Sequence, residues 1–259
     1  MDIVSQTFIK REEPFKCFPC HWSKDEYTYR YIYNNRHEIS IVKTKDGNGV
    51  YGEDPRPFVL DGLKFFVSCS LVHPEHVTCL KNMNINITNY ETGSMFTYNM
   101  NEDIYMGKNW TPFVKDNKLF FIHSFDPFTL ITDGKVVYSK PLGLDVTKYD
   151  SYTSFRGGSN GLQYRDLVFG FGHYTIKNDN HSAFMWILES DTLKLAHLKN
   201  DFLQIVNPTS LWIEDGELYT SFYETTHGWF HMDIQCRHTV YRIDFDKLVS
   251  DLEWDIFLV

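Results

Sequence analysis

Asp54-Pro55-Arg56-Pro57-Phe58-Val59-Leu60-Asp61-Gly62-Leu63-Lys64-Phe65-Phe66-Val67-Ser68 lies without a gap over Asn109-Trp110-Thr111-Pro112-Phe113-Val114-Lys115-Asp116-Asn117-Lys118-Leu119-Phe120-Phe121-Ile122-His123. Each copy is an Asp or Asn head, a Pro within three residues, a Phe-Val strand, a two-residue turn and an aromatic strand. Asp-Gly and Asp-Asn tolerate the positive φ that tight hairpins demand. A third copy, Asn207 to Tyr219, needs one extra residue before its turn, and two weaker ones run from Arg156 to Phe169 and from Phe18 to Tyr29. The turn acids are Asp25, Asp61, Asp116, Asp166 and Asp215, separated by 36, 55, 50 and 49 residues. A fifth of the chain is about 52 residues, a length that suits one four-stranded sheet with its connections. The repeats predict an all-β, five-bladed propeller of about four antiparallel strands per blade, spanning 1–259 as a single domain. A β-sandwich with repetitive hairpins is the competing architecture. Helical periodicity is weak and confined to Phe245–Phe257.

Composition narrows the function. The 259 residues carry 25 Lys+Arg against 34 Asp+Glu, a formal charge of −9, which argues against nucleic acid as the main partner. A locally basic cleft remains compatible with that balance. Aromatic residues make up 17%, enough for a large core and a lined binding surface, and 42% hydrophobic content argues against disorder. No apolar run reaches membrane-spanning length, and the residues following Met1 lack the pattern of a signal peptide, so a cytoplasmic protein with no membrane span is expected. Five cysteines fit reduced thiols better than a disulfide framework.

The first strand of every propeller blade runs beside the axis, so the repeat heads converge on one funnel. Those heads carry Cys20 and His21; Glu53, Asp54 and Arg56; Lys108, Asn109 and Trp110; Arg156, Gly157 and Gly158; and Asn207. Strand ends add His73, Ser124, Asp126, His173, Tyr223 and Glu224. Asp-Pro or Asn-Pro is also a routine turn starter, and an Asp–Arg pair can simply tie strands together. As a set, however, an acid among lysine and arginines suits protonation of a leaving group beside a bound anion, as in glycosyl or phosphoryl chemistry. Gly157-Gly158 would let a substrate approach the backbone, or would form an ordinary bend.

The ordered series Gly52-Glu53-Asp54-Pro55-Arg56, Lys108-Asn109-Trp110-Thr111-Pro112-Phe113, Arg156-Gly157-Gly158-Ser159 and Phe171-Gly172-His173 resembles the five-bladed propeller enzymes of glycoside hydrolase family 130, with its β-mannoside phosphorylases, and of glycosyltransferase family 108. The resemblance covers roughly residues 17 to 233. It implies an inverting enzyme in which Asp54 is the catalytic acid, donating to the departing oxygen directly or through a sugar hydroxyl. It further implies that Arg56, Lys108, Arg156 and His173 hold phosphate or a sugar-bound anion, with Asn109 and Tyr223 among the substrate contacts. Phosphate would itself attack in phosphorolysis, whereas transfer or hydrolysis needs another activation, for which Asp126 and Glu224 are the candidates, or else they bind hydroxyls. The segment Phe222-Tyr223-Glu224-Thr225-Thr226-His227-Gly228-Trp229 departs from the late-blade Tyr-Gly pattern, which leaves sugar identity and acceptor open. The compact chain places transfer to a glycan acceptor slightly ahead of phosphorolysis, in a monomer or weak homo-oligomer. The reading needs no cofactor or metal, only inorganic phosphate, a sugar 1-phosphate or a nucleotide sugar as co-substrate.

Other signals compete weakly. Cys17-Phe18-Pro19-Cys20-His21 satisfies the haem-attachment pattern without an export signal, and Cys17, Cys20, Cys236 and His238 are a conceivable zinc set lacking a second Cys-x-x-Cys. There is no Walker, dinucleotide or Gly-x-Ser-x-Gly element. A non-catalytic glycan-binding propeller, stacking sugars on Trp22, Trp110, Trp212 and Trp229, is the alternative of a different class.

Overall fold

The computed structural model describes residues 1–9, 15–34, 38–71, 83–101, 104, 106–149, 155–176, 180–226 and 236–259. Strand β1 (Asp2–Ile9) precedes five radially arranged blades. The first blade is β2 (Phe15–His21), β3 (Tyr27–Asn34), β4 (Glu38–Lys43) and β5 (Gly49–Tyr51). The second is β6 (Glu53–Leu60), β7 (Leu63–Leu71), β8 (Met83–Asn89) and β9 (Met95–Thr97), and the third is β10 (Thr111–Lys115), β11 (Lys118–Phe125), β12 (Phe128–Thr132) and β13 (Lys135–Lys140). In the fourth the axial strand is split into β14 (Arg156–Gly157) and β15 (Leu162–Tyr164), followed by β16 (Leu167–Thr175), β17 (His181–Glu189) and β18 (Thr192–His197). The fifth is β19 (Ile205–Glu214), β20 (Glu217–Thr225) and β21 (Cys236–Ile243), and β1 completes it as the outer fourth strand, pairing antiparallel with β21 from Asp2↔Arg242 to Ile9↔Cys236. The amino terminus thus joins the last blade and closes the ring.

The axial hairpins form where the repeat predicts them. Asp61-Gly62, Asp116-Asn117 and Asp215-Gly216 have positive φ at both turn positions (51° and 74°, 51° and 59°, 52° and 79°), the backbone that matches the right-handed strand twist. Each axial strand of blades 1, 2 and 5 also carries a bulge at its head, between Cys17 and Cys20, Glu53 and Arg56, and Pro208 and Ser210. Phe18, Asp54 and Asn109 occupy the same position, seven residues before their turn acids, and all three adopt left-handed backbone (φ 47°, 51° and 67°). A non-glycine residue there is strained, and such strain concentrates where a fold aims side chains at a site. The bulge turns the head residues off the regular pleat towards the hub.

Packing between blades is aromatic. Phe113, Phe125, Phe128, Phe155 and Trp186 fill the gap between the third and fourth blades, and Phe171, Met185, Phe222 and Tyr241 that between the fourth and fifth. The expected helix over 245–257 is only partly formed. Helix α1 (Phe245–Asp251) starts where Asp244 accepts a hydrogen bond from the Lys247 N–H at 3.1 Å, but Leu252 is extended and β22 (Asp255–Leu258) adds to the edge of the fourth blade. Unpaired ladder groups on β18 outcompete the weak helical periodicity of this segment.

Candidate active site

The bulged head of β6 puts Glu53 and Asp54 at the hub, where cations from two neighbouring elements meet them. Arg30, in the middle of β3, spans both carboxylates: one guanidinium nitrogen lies 3.3 Å from Asp54 Oδ1 and the other 3.5 Å from Glu53 Oε2. Lys108 Nζ donates to Glu53 Oε2. The Arg30, Asp54, Glu53 and Lys108 side chains are 9%, 12%, 18% and 30% exposed, so the group is recessed and keeps partial access to solvent. Arg56, two residues along β6, is 2% exposed; its Nη1 donates to the Pro55 carbonyl at 3.2 Å, and its Nε and Nη2 have no hydrogen-bond partner among the described residues. On the fourth blade Arg156 pairs across β14–β16 with His173 and donates to Thr175 Oγ1. His173 in turn stacks on His181 with ring centroids 5.1 Å apart, and His181 Nδ1 lies 3.4 Å from Asn207 Oδ1.

The charges at the hub respond to burial and to each other. Burial works against the charge on Asp54, but Arg30, Lys108 and Arg56 outweigh it and hold the carboxyl below the ordinary range. Burial likewise opposes the ammonium of Lys108, and Asp54 and Glu53 overcome it, keeping its pKa above the usual value. For Arg56 burial wins over Asp54, Cys69 and Cys20, and its pKa is lowered. His173 is driven well below 6.5 by burial first, then by Arg156, His181 and Arg56, so it is neutral at physiological pH. Two carboxylates therefore meet three cations, Arg30, Arg56 and Lys108, while Arg156 acts on the neighbouring His173. An acidic chain carries a cation-rich hub, and a desolvated arginine such as Arg56, whose Nε and Nη2 have no partner among the described residues, is the kind of group that receives a phosphate or another oxyanion.

Asp54, Arg56 and Lys108 are thus brought together, with Arg156 and His173 joined to them through the fields that act on His173. Asn109 stands beside Lys108 at the seam between the third and fourth blades. A Cβ on Gly157 would lie 2.2 Å from the Asn109 carbonyl oxygen and from Thr111 Oγ1, and one on Gly158 would lie 3.0 Å from Pro208. These glycines let adjacent blades touch. Tyr223 is buried; its hydroxyl donates to Cys236 Sγ at 3.1 Å, its ring is 5.2 Å from Phe18, and burial pushes its pKa well up. Ser124 caps the Pro127 carbonyl.

The two carboxylates expected as a second base or as hydroxyl binders are committed elsewhere. Asp126, in the β11–β12 turn, accepts from the Leu142 and Leu144 N–H groups at 2.9 and 3.2 Å and ties down that connection. Glu224 is fully buried in the fifth blade and accepts from the Leu203 N–H at 2.8 Å, from Arg237 through Nε (3.1 Å) and Nη2, and from Thr239 Oγ1 at 3.4 Å. Glu224→Ala is expected to lower unfolding stability by about 1–3 kcal/mol by removing the acceptor of the Leu203 N–H, the Thr239 hydroxyl and Arg237, read as a fall in denaturant midpoint, while the folded fraction keeps its activity. A catalytic base would show the reverse pattern.

Arg30 and Glu53 complete the site. Glu53 was visible at the repeat head. Arg30 lies on a second strand, and its only sequence signal is a lone cation inside the aromatic run Tyr27-Thr28-Tyr29-Arg30-Tyr31. His73, His227, Gly228 and Trp229 lie outside the described residues. The zinc set is divided: Cys17 and Cys236 pack with Phe18 and Tyr223, Cys20 packs with Trp22 and Phe66, and His238 Nε2 lies 3.3 Å from His21 Nε2. Among the described residues no three His, Cys, Asp or Glu side chains gather as metal ligands, and no helix is long and apolar enough to cross a membrane.

No protein-family model matches the chain, and no curated protein matches it by sequence. Solved structures do. MPT-4, a mannose phosphorylase from Leishmania mexicana solved in complex with a phosphate ion, superposes with a TM-score of 0.61 over 95% of this chain and 90% of that one, at 11% identity. MPT-1, a GDP-Man-dependent mannosyltransferase from the same organism, gives a TM-score of 0.57 over 94% of this chain and 91% of that one, at 12% identity. At such identities the likeness is one of fold, and the fold this chain shares with these two enzymes is the five-bladed β-propeller that its repeats encode.

Proposed function

We propose that the protein is an inverting carbohydrate-active enzyme that makes or breaks a mannosidic bond, by transfer from or to a phosphorylated mannose. The observation that carries the reading is the hub itself, where Asp54 sits among Arg30, Lys108 and the buried Arg56, whose Nε and Nη2 have no partner among the described residues. Arg56, Arg156 and Lys108 receive the phosphate, either inorganic or attached to the donor sugar, and neutral His173 offers a further hydrogen bond. Bound anion offsets the cations that keep Asp54 ionised, raises its pKa and prepares it to pass a proton to the glycosidic oxygen, directly or through a sugar hydroxyl. Phosphate on the opposite face needs no protein base to attack. That agrees with the engagement of Asp126 and Glu224 in backbone and ion-pair contacts, and it disfavours the hydrolase alternative. Of the four tryptophans named for the glycan-binding alternative, three are packed against other rings, and Trp229 lies outside the described residues. Trp22 lies 4.2 Å from Tyr90, Trp212 packs between His21 and Tyr219, and Trp110 is buried against Phe121 and His123.

The fold likeness to a mannose phosphorylase and to a GDP-Man-dependent mannosyltransferase supports the same class. The test is incubation with mannose 1-phosphate or GDP-mannose and manno-oligosaccharide acceptors, followed by mass spectrometry. Extension of the acceptor by one mannose with release of phosphate or GDP is expected, and the productive donor separates phosphorylase from transferase. No extension with either donor, together with unimpaired oligosaccharide binding, overturns the enzymatic reading.

A further inference from the structure

A cleft opens between the fourth and fifth blades, walled by two adjoining cavities of about 610 and 230 Å³. Both are bounded by Ile176, Ser182, His197, Leu198, Lys199 and Asn200, so they form one trough with a waist at these residues. Its inner end reaches His181, the residue that stacks on His173 and meets Asn207 at the hub. Its outer end passes Lys148 and Tyr149 and stops at the carboxy-terminal end of α1, near Asp251 and Glu253. The trough therefore runs from His181, one contact away from His173 and Asn207, to the rim of the molecule.

Its chemistry differs from that of the hub. Lys148 and Lys199 are balanced by Asp251 and Glu253, and Lys148 is already paired with Asp255. His197, with Nδ1 against the Tyr174 hydroxyl, has its pKa lowered by burial and then by Lys199, and so adds no charge at neutral pH. The lining is a net-neutral mixture of hydroxyl, amide and imidazole groups with Leu198 and Phe202, within the size range of small-molecule sites. Such a wall gives a nucleotide or a phosphate no excess of positive charge. It offers hydrogen bonds and apolar contact to a ligand that is polyhydroxylated on its edges and apolar on its ring faces. We infer that this trough is the binding site for the neutral glycan chain whose end reacts at the hub. The inference rests on the mannosyl-transfer reading and deepens it by assigning the acceptor's path.

The experiment is calorimetry on the full chain with mannose and with manno-oligosaccharides of two to six residues, of α and of β linkage. Affinity is expected to rise at least tenfold with chain length in one linkage series. Ser182→Ile and Asn200→Leu, at the waist, are each expected to remove that gain. Binding of mannose 1-phosphate, which reports the hub alone, should be unchanged in both variants and shows that each is folded. An affinity independent of length, a gain that survives both substitutions, or a GDP titration lost in both variants overturns the assignment. The two levels remain separable: absence of binding of both mannose 1-phosphate and GDP-mannose to the unaltered protein refutes the hub reading, whereas intact hub binding without a length-dependent gain refutes only the trough.

Discussion

Asp54→Asn is expected to reduce turnover by about 10²–10⁴-fold, the usual contribution of a positioned general acid, while oligosaccharide and sugar-phosphate binding persist. The same substitution has a second signature that requires no substrate. Sulfate, which stays a dianion across the neutral and acid range, is a fixed-charge probe of the hub. In the free protein Arg30, Lys108 and Arg56 hold the Asp54 pKa below the ordinary 3.8, against the effect of burial, so the carboxylate is charged at neutral pH and repels an incoming anion. A bound dianion raises that pKa, so sulfate binding takes up a proton, and linkage then requires sulfate affinity to increase as pH falls towards the Asp54 pKa. His173, whose pKa lies well below 6.5, adds to the same rise from the acid side. Asn at position 54 removes the Asp54 share only. The variant should bind sulfate more tightly than the native protein at pH 7 and show a shallower rise on acidification. Equal sulfate affinities at pH 7, or an unaltered rate constant in the extension assay, would show that Asp54 is remote from both the anion and the reaction.

How much of this was legible in the sequence follows from the range over which each contact acts. The blades were readable because the hairpin turn is local: Asp-Gly or Asp-Asn with positive φ is dictated by adjacent residues, and its recurrence counts the blades. The head residues Glu53, Asp54, Arg56 and Lys108 were readable because propeller topology converts equivalent sequence positions into one spatial cluster. Arg30 escaped that rule, since it belongs to a second strand and enters the hub only because its long side chain reaches the next blade's head. Asp126 and Glu224 were over-read for the opposite reason. Their positions at strand ends imitate those of the head residues, but partners far along the chain, Leu142, Leu144, Leu203 and Arg237, bind their carboxylate oxygens. The split of the fourth axial strand and the role of Gly157 are also non-local, because they depend on how closely Asn109 and Thr111 of the preceding blade approach. The amino-terminal strand in the last blade was similarly hidden: β1 has exposed side chains from Asp2 to Phe8, and its place is fixed by the ladder to β21 rather than by a hydrophobic pattern.

Arg56→Met is expected to make the ligand-free protein more stable while destroying its affinity for anions. A buried guanidinium that uses one nitrogen on the neighbouring Pro55 carbonyl and, among the described residues, leaves Nε and Nη2 without partners bears a desolvation cost. An unsatisfied buried polar group costs about 1–3 kcal/mol, and the lowered pKa of Arg56 is the same penalty seen from the proton's side. Methionine keeps much of the side chain's length and flexibility and needs no hydrogen bonds. Asp54 retains Arg30 and Lys108 after the change, so no carboxylate is left without a cation. The denaturant midpoint without anion should therefore rise, by an amount equivalent to about 1–2 kcal/mol. With saturating sulfate the ordering should reverse: the native protein gains about 2.7 kcal/mol when the anion is at a hundredfold its Kd, whereas the variant, having lost two charge-assisted hydrogen bonds, should bind sulfate about 100-fold more weakly and gain little. A structural role for Arg56, as a tie between the second blade and its neighbours, predicts the opposite first result, a variant less stable in the absence of anion. The crossing of the two stability orders on adding sulfate is the signature of a cation kept buried for its ligand at the expense of the fold.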